Sequence, residues 1–165
     1  MSFNNRISQT LHDEHQATVG LMERLEQLLA RYRRSPPPSD PAVAQFLDEL
    51  ARDLGADVER HFAFEESQLF TYLDAIGDAA IGAHLTDEHA AMRPLGIELA
   101  ALARKARDQG FDAPGWDAFR LLGGELCERM LAHVQKEEMA LLPLLDESMD
   151  AETEARLYDA YAANA

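Results

Sequence analysis

Six side chains repeat at spacings that suit metal coordination. His61-Phe62-Ala63-Phe64-Glu65-Glu66 and His133-Val134-Gln135-Lys136-Glu137-Glu138 both read H-x-x-x-E-E, and two lone histidines, His15 and His89, stand upstream of them. Residues four apart on an α-helix differ by about 40° around the axis and about 6 Å along it, so each His/Glu pair projects together. Asp13-Glu14-His15 precedes the first pair and Asp87-Glu88-His89 the second. Forty-six residues separate His15 from His61, and forty-four separate His89 from His133. Each half therefore supplies one helix with a single histidine and one with a His/Glu pair. Four imidazoles and two carboxylates form a donor set for two iron ions.

In that arrangement Glu65 and Glu137 bridge the metals. His61 and His133 take terminal positions, and His15 and His89 complete two histidines per ion. One oxo, hydroxo or water bridge then gives each iron about five ligands and leaves a position for a small exogenous ligand. A lone histidine on an apolar face is ordinarily a hydrogen-bonded core residue, but matched pairs reverse that balance. Two buried carboxylates are costly unless cations accompany them, and two metal ions supply that compensation. His12, Tyr72 and Met92 read as supporting or entrance residues. Glu66 and His84 are weaker ligand candidates: Glu66 lies five residues past His61, and His84 lies about 140° around the helix from His89. Glu88, four residues after His84, is expected to face away with it, and Glu138 to lie at a surface or helix interface. Cys127 reads as packing.

These donors need long helices to carry them. Ile7, Leu11, Thr18, Val19, Met22, Leu25, Leu28 and Leu29 recur at helical spacing around His15, predicting a helix over 5–34 that ends at Ser35-Pro-Pro-Pro-Ser. Asp40 caps a second helix, with Pro41 at its first position, predicted over 41–74. Gly77-Asp78 allows a tight return into a third helix over 79–109. Pro94 inside it predicts either a bend after His89 or two shorter helices. The stretch 110–115 reads as a loop, followed by a fourth helix over 116–146 and a short tail helix over 151–158 capped by Asp150. The expected fold is all-α: an up-down-up-down antiparallel four-helix bundle with a short C-terminal helix, in one domain spanning 1–165.

Composition narrows the function. The chain carries 30 acidic residues against 15 Lys plus Arg, for a formal charge of −15. Such a surface repels phosphate backbones and anionic lipid, which argues against nucleic acid and membrane partners. The single cysteine excludes an internal disulfide and thiolate-rich zinc or iron–sulfur sites. With no apolar signal core at the N-terminus, the expected setting is a reducing cytoplasm.

The chain resembles the hemerythrin-like HHE cation-binding family over nearly its whole length. The His15, His61/Glu65, His89 and His133/Glu137 segments fall in the family's four-helix order. The resemblance implies a non-haem di-iron centre. Oxygen-carrying hemerythrins use five histidines and two bridging carboxylates, with a histidine pair four apart on the third helix. Here Leu85 stands four before His89, so that pair is incomplete. The four-His/two-Glu pattern is closer to iron–sulfur-cluster repair proteins of bacteria and to the iron-sensing domain of a eukaryotic ubiquitin-ligase adaptor. The implied function is binding or sensing of O2, NO or a related oxidant. The alternatives are a peroxide or NO redox enzyme, an iron-delivery or iron–sulfur-repair factor with a reductant or iron-recipient protein as partner, and a metal-stabilised interaction module.

Overall fold

The computed structural model describes residues 2–164, and among them no strand occurs. Five helical rods occur among the described residues: α1 (Arg6–Arg31), α2 (41–75), α3 (Ala79–Gln109), α4 (113–148) and α5 (Ala151–Ala163). Extensive packing joins α2 to α3, α3 to α4 and α1 to α4, while α5 lies on α1. No helix among the described residues is long and apolar enough to cross a membrane.

Local chemistry sets the rod ends. Asn5, Asp40, Asp112 and Asp150 each accept a backbone N–H from three residues on, which satisfies donors that a helix start leaves unpaired. The Asp112 cap starts α4 at Ala113, earlier than the glycines of 110–115 imply, and Pro114 is tolerated because first-turn N–H groups need no helical partner. α1 stops at Arg31, short of the predicted 34, where Trp116 Nε1 donates to the Tyr32 carbonyl at 2.9 Å. α5 runs to Ala163, longer than predicted, because Leu157 is buried and Tyr161 is bonded beyond residue 158. Gly77, at φ 93°, makes the tight return between α2 and α3. α3 is one helix through Pro94, not two shorter ones.

α2 and α4 are not uniform. α2 holds π-turns at Asp53–Asp57 and Glu65–Leu69, and α4 holds one at Glu137–Leu141. A π-turn closes its bond five residues back and is commonly found at functional sites. Pro143 lies two residues past the α4 π-turn, in the first turn of the next α-helical segment.

The core is in two parts. One apolar cluster includes Leu25, Leu50, Leu99, Trp116 and Phe119; the other includes Ile7, Leu11, Leu73, Leu141 and Leu145. Along α1, Leu11 belongs to the second cluster and Leu21 to the first, with His15 between them; along α3, Leu85 and Met92 flank His89 in the same way. Between these two apolar ends lie the buried polar side chains His15, His61, Glu65, His89, His133 and Glu137. At the second end, the Asp146 side chain accepts the N–H groups of Asn4 and Asn5, and Arg6 forms a bidentate pair with Glu154 of α5.

Candidate metal centre

The six residues picked out by spacing meet in this buried layer. They form two groups of four donors, His15/His61/Glu65/Glu137 and His89/His133/Glu65/Glu137, each with its donor atoms within 4.8 Å of one another. The two glutamates belong to both groups. Glu65 directs Oε1 to His61 Nε2 at 2.9 Å and Oε2 to His89 Nε2 at 3.2 Å. Glu137 directs Oε2 to His15 Nε2 at 2.7 Å and Oε1 to His133 Nε2 at 2.8 Å. Each carboxylate thus divides its oxygens between the two histidine pairs. Both glutamates are 0% exposed, a costly placement for charge without compensation.

Each imidazole meets a second glutamate through its outer nitrogen. The Nδ1 atoms of His15, His61, His89 and His133 lie 2.6, 2.7, 3.1 and 2.9 Å from Glu138, Glu14, Glu66 and Glu88. A carboxylate at Nδ1 favours a proton there, which turns the Nε2 lone pair inward and fixes the ring's orientation. The outer carboxylates are themselves held. Tyr161 donates to Glu14, with Arg60 also 3.6 Å away; His12 meets Glu138 at 2.8 Å; Arg93 grips Glu66 at 2.7 and 3.0 Å; and Lys136 donates to Glu88.

Of these outer glutamates, spacing alone misplaces Glu88 and overlooks the histidine partners of Glu14, Glu66 and Glu138. Glu88 faces His133 rather than turning away with His84, which is exposed and makes only a looser 3.7 Å approach to Glu88. Glu66 and Glu138 sit inside the π-turns, where the local winding departs from the α-helical 100° per residue. They belong to neither converging group; they support the lone histidine of the opposite half. A readable signal existed: each lone histidine follows a glutamate, and each bridging glutamate precedes one.

Among the remaining candidates, His12 acts through Glu138. Tyr72 bonds Ser148 at 3.0 Å. Met92 is buried three residues after His89. Cys127 is buried with its thiol directed at the Met22 carbonyl, and burial pushes its pKa up to about 12.

Protons and cations would compete for this layer. Burial opposes charge on the rings, yet the carboxylates outweigh it: His61 is held well above the ordinary histidine value, His89 is pushed up to about 9, and His133 is raised. Burial also opposes charge on Glu137, but the four histidines gathered around it hold it well below the usual carboxylate range.

The donor set fits metal ions for a geometric reason. His15 Nε2, Glu65 Oε2 and both oxygens of Glu137 are buried without an aligned hydrogen-bond partner, even though His15 and His133 approach Glu137 at 2.7 and 2.8 Å. Close approach without hydrogen-bond alignment means that lone pairs converge on shared points instead of on one another. His89 Nε2 and His133 Nε2 also approach each other, at 3.1 Å, within hydrogen-bond distance. Cations held between the two glutamates and the histidines would satisfy these buried atoms together.

The family model described as hemerythrin HHE cation binding domain matches residues 6–145 and, separately, 81–162. Comparison with curated proteins found no match.

Proposed function

The chain belongs to the hemerythrin HHE cation-binding domain family, and from that premise we propose that it holds two iron ions and uses them to bind or sense O2, NO or a related small oxidant. His15 and His61 would hold one ion, His89 and His133 the other, and Glu65 and Glu137 both. The observation that carries this reading is the division of each buried carboxylate's oxygens between the two histidine pairs. An iron pair held there would supply two redox-active Lewis acids able to take a small exogenous ligand.

The protein's own residues define how that chemistry is contained. The outer glutamates keep Nδ1 protonated and Nε2 directed inward. Phe62 stacks on His89 with ring centroids 3.8 Å apart and fixes that ring from the side. The apolar clusters above and below keep bulk water from the donors, which strengthens electrostatic interactions inside. We read the four long rods as an up-down-up-down antiparallel bundle in a single domain, supported by the pairing of neighbouring rods and the tight return at Gly77.

Anaerobic metal analysis with Mössbauer spectroscopy, before and after controlled O2 exposure, tests the reading. Two magnetically coupled irons per chain are expected; one isolated iron overturns it. Stopped-flow mixing with O2 or NO should then give a persistent adduct. Repeated consumption in the presence of a reductant would move the assignment from binding to turnover.

A further inference from the structure

The internal repeat provides a comparison within the molecule. Superposing His15 on His89 pairs Met22 with Gly96, and superposing His61 on His133 pairs Gly55 with Cys127. At that level of the groove between α1 and α4, Met22 and Cys127 are buried, at 0% and 3% exposure. In the matching groove between α2 and α3, both positions are glycine, and a cavity of about 430 Å³ opens. A side chain at Gly96 would meet nothing within 4 Å. The volume lies in the range of small-molecule sites, as does the chemistry of an apolar wall with a few polar groups.

Phe62, Met92 and Met130 line the cavity together with Ile97, which is 71% exposed. Two arginines also line it, and they differ. Arg93 is occupied by Glu59 and Glu66. Arg104 makes no ion pair among the described residues. A Cβ at Gly55 would lie 3.3 Å from the Arg104 guanidinium, so the glycine leaves room for it against the α2 π-turn. We infer that this groove binds a small monocarboxylate with an apolar body, its carboxylate on Arg104 and its tail over Phe62, Met92 and Met130. A bound tail would lie one aromatic ring away from His89.

Calorimetric titration of the metal-loaded protein with octanoate, and in parallel with octanol, tests the inference. Octanoate should bind and octanol should bind more weakly. Arg104→Gln should weaken octanoate about tenfold, the loss of one charge-assisted hydrogen bond, without changing octanol. Gly96→Leu should abolish binding of both while favouring the helix, and Gly96→Ala, the milder filling, should reduce it. Circular dichroism and metal content should stay at the parent values in all three variants. Absence of octanoate binding, equal binding of octanoate and octanol, or undiminished binding by Gly96→Leu overturns the inference.

Discussion

The two metal positions are nearly alike inside and unlike outside. Each has two imidazoles, an oxygen from Glu65 and an oxygen from Glu137, and each imidazole leans on a glutamate. Beyond those glutamates the halves diverge. At the His89/His133 position, Glu66 and Glu88 are neutralised by Arg93 and Lys136, both permanent cations. At the His15/His61 position, the close partners of Glu138 and Glu14 are His12 and a neutral phenol, Tyr161, with Arg60 farther off at 3.6 Å. An outer carboxylate whose charge is less compensated makes its imidazole a stronger donor. The His15/His61 position should therefore favour the more oxidised ion and the His89/His133 position the more reduced. Duplication of the inner motif sets geometry, and the unduplicated outer partners set electronic character.

The largest effect should come from removing what the positions share. Glu65→Ala or Glu137→Ala deletes an oxygen from both groups, so metal content should fall from two ions per chain to one or none and magnetic coupling should vanish. Metal analysis with Mössbauer spectroscopy reads both. Retention of a coupled pair in each variant would remove the bridging assignment.

Next in size are changes that separate the positions. Glu14→Gln or Glu138→Gln should weaken the His15/His61 position, and Glu66→Gln or Glu88→Gln the His89/His133 position, by roughly 10–100-fold in metal affinity. Stepwise metal titration should show one tight and one weak ion in every case. Uniform weakening of both ions would mean that the outer glutamates act on the fold rather than on individual positions.

How much of this was legible in sequence depended on helix regularity. His61 with Glu65 and His133 with Glu137 lie on regular α-helical spacing, so counting by four found them, and the duplicated order of motifs found His15 and His89. Counting failed for Glu66 and Glu138. In an ideal α-helix each lies about 140° from its histidine, whereas the rods are π-wound there and the partner is on another helix. Glu88 was misread for a related reason: its apparent neighbour His84 is a turn away on α3, while its actual partner His133 is on α4. The capped starts at Asp40 and Asp150 were readable because each residue's local chemistry is sufficient; the α4 start was missed because Gly115 masked the Asp112 cap.

A smaller effect is expected from protons in the metal-free protein. Histidines whose pKa is raised by folding stabilise fully below their ordinary value of 6.5 and lose that contribution as pH rises, through about 9 for His89. Glu137, whose pKa is lowered, contributes above its ordinary 4.5 and loses the contribution as pH falls. Thermal melts of chelator-treated protein should therefore decline from about pH 6.5 toward pH 9. The loaded protein should gain relative to it over the same interval, because metals displace those protons. Parallel curves would show that protons and metals do not share the site.

The smallest effect belongs to the outermost contact. Tyr161→Phe removes one hydrogen bond to Glu14, about 1 kcal/mol, and should lower the melting temperature by roughly 2–4 °C. It should also alter the His15/His61 ion's spectrum while sparing its neighbour. A change confined to melting, with no spectral asymmetry, would reduce Tyr161 to an anchor for α5.

The π-turns at Glu65 and Glu137 also act on parts of the chain that bear no donor. A turn holding one residue more than its α-helical counterpart offsets everything beyond it, so Phe70 and Leu73 on α2, and Leu142 and Leu145 on α4, occupy a different angular phase from the stripe that precedes them. The two oily ends of the molecule are keyed to one another through that offset. Residue count, independent of residue identity, therefore carries part of the instruction for building the centre.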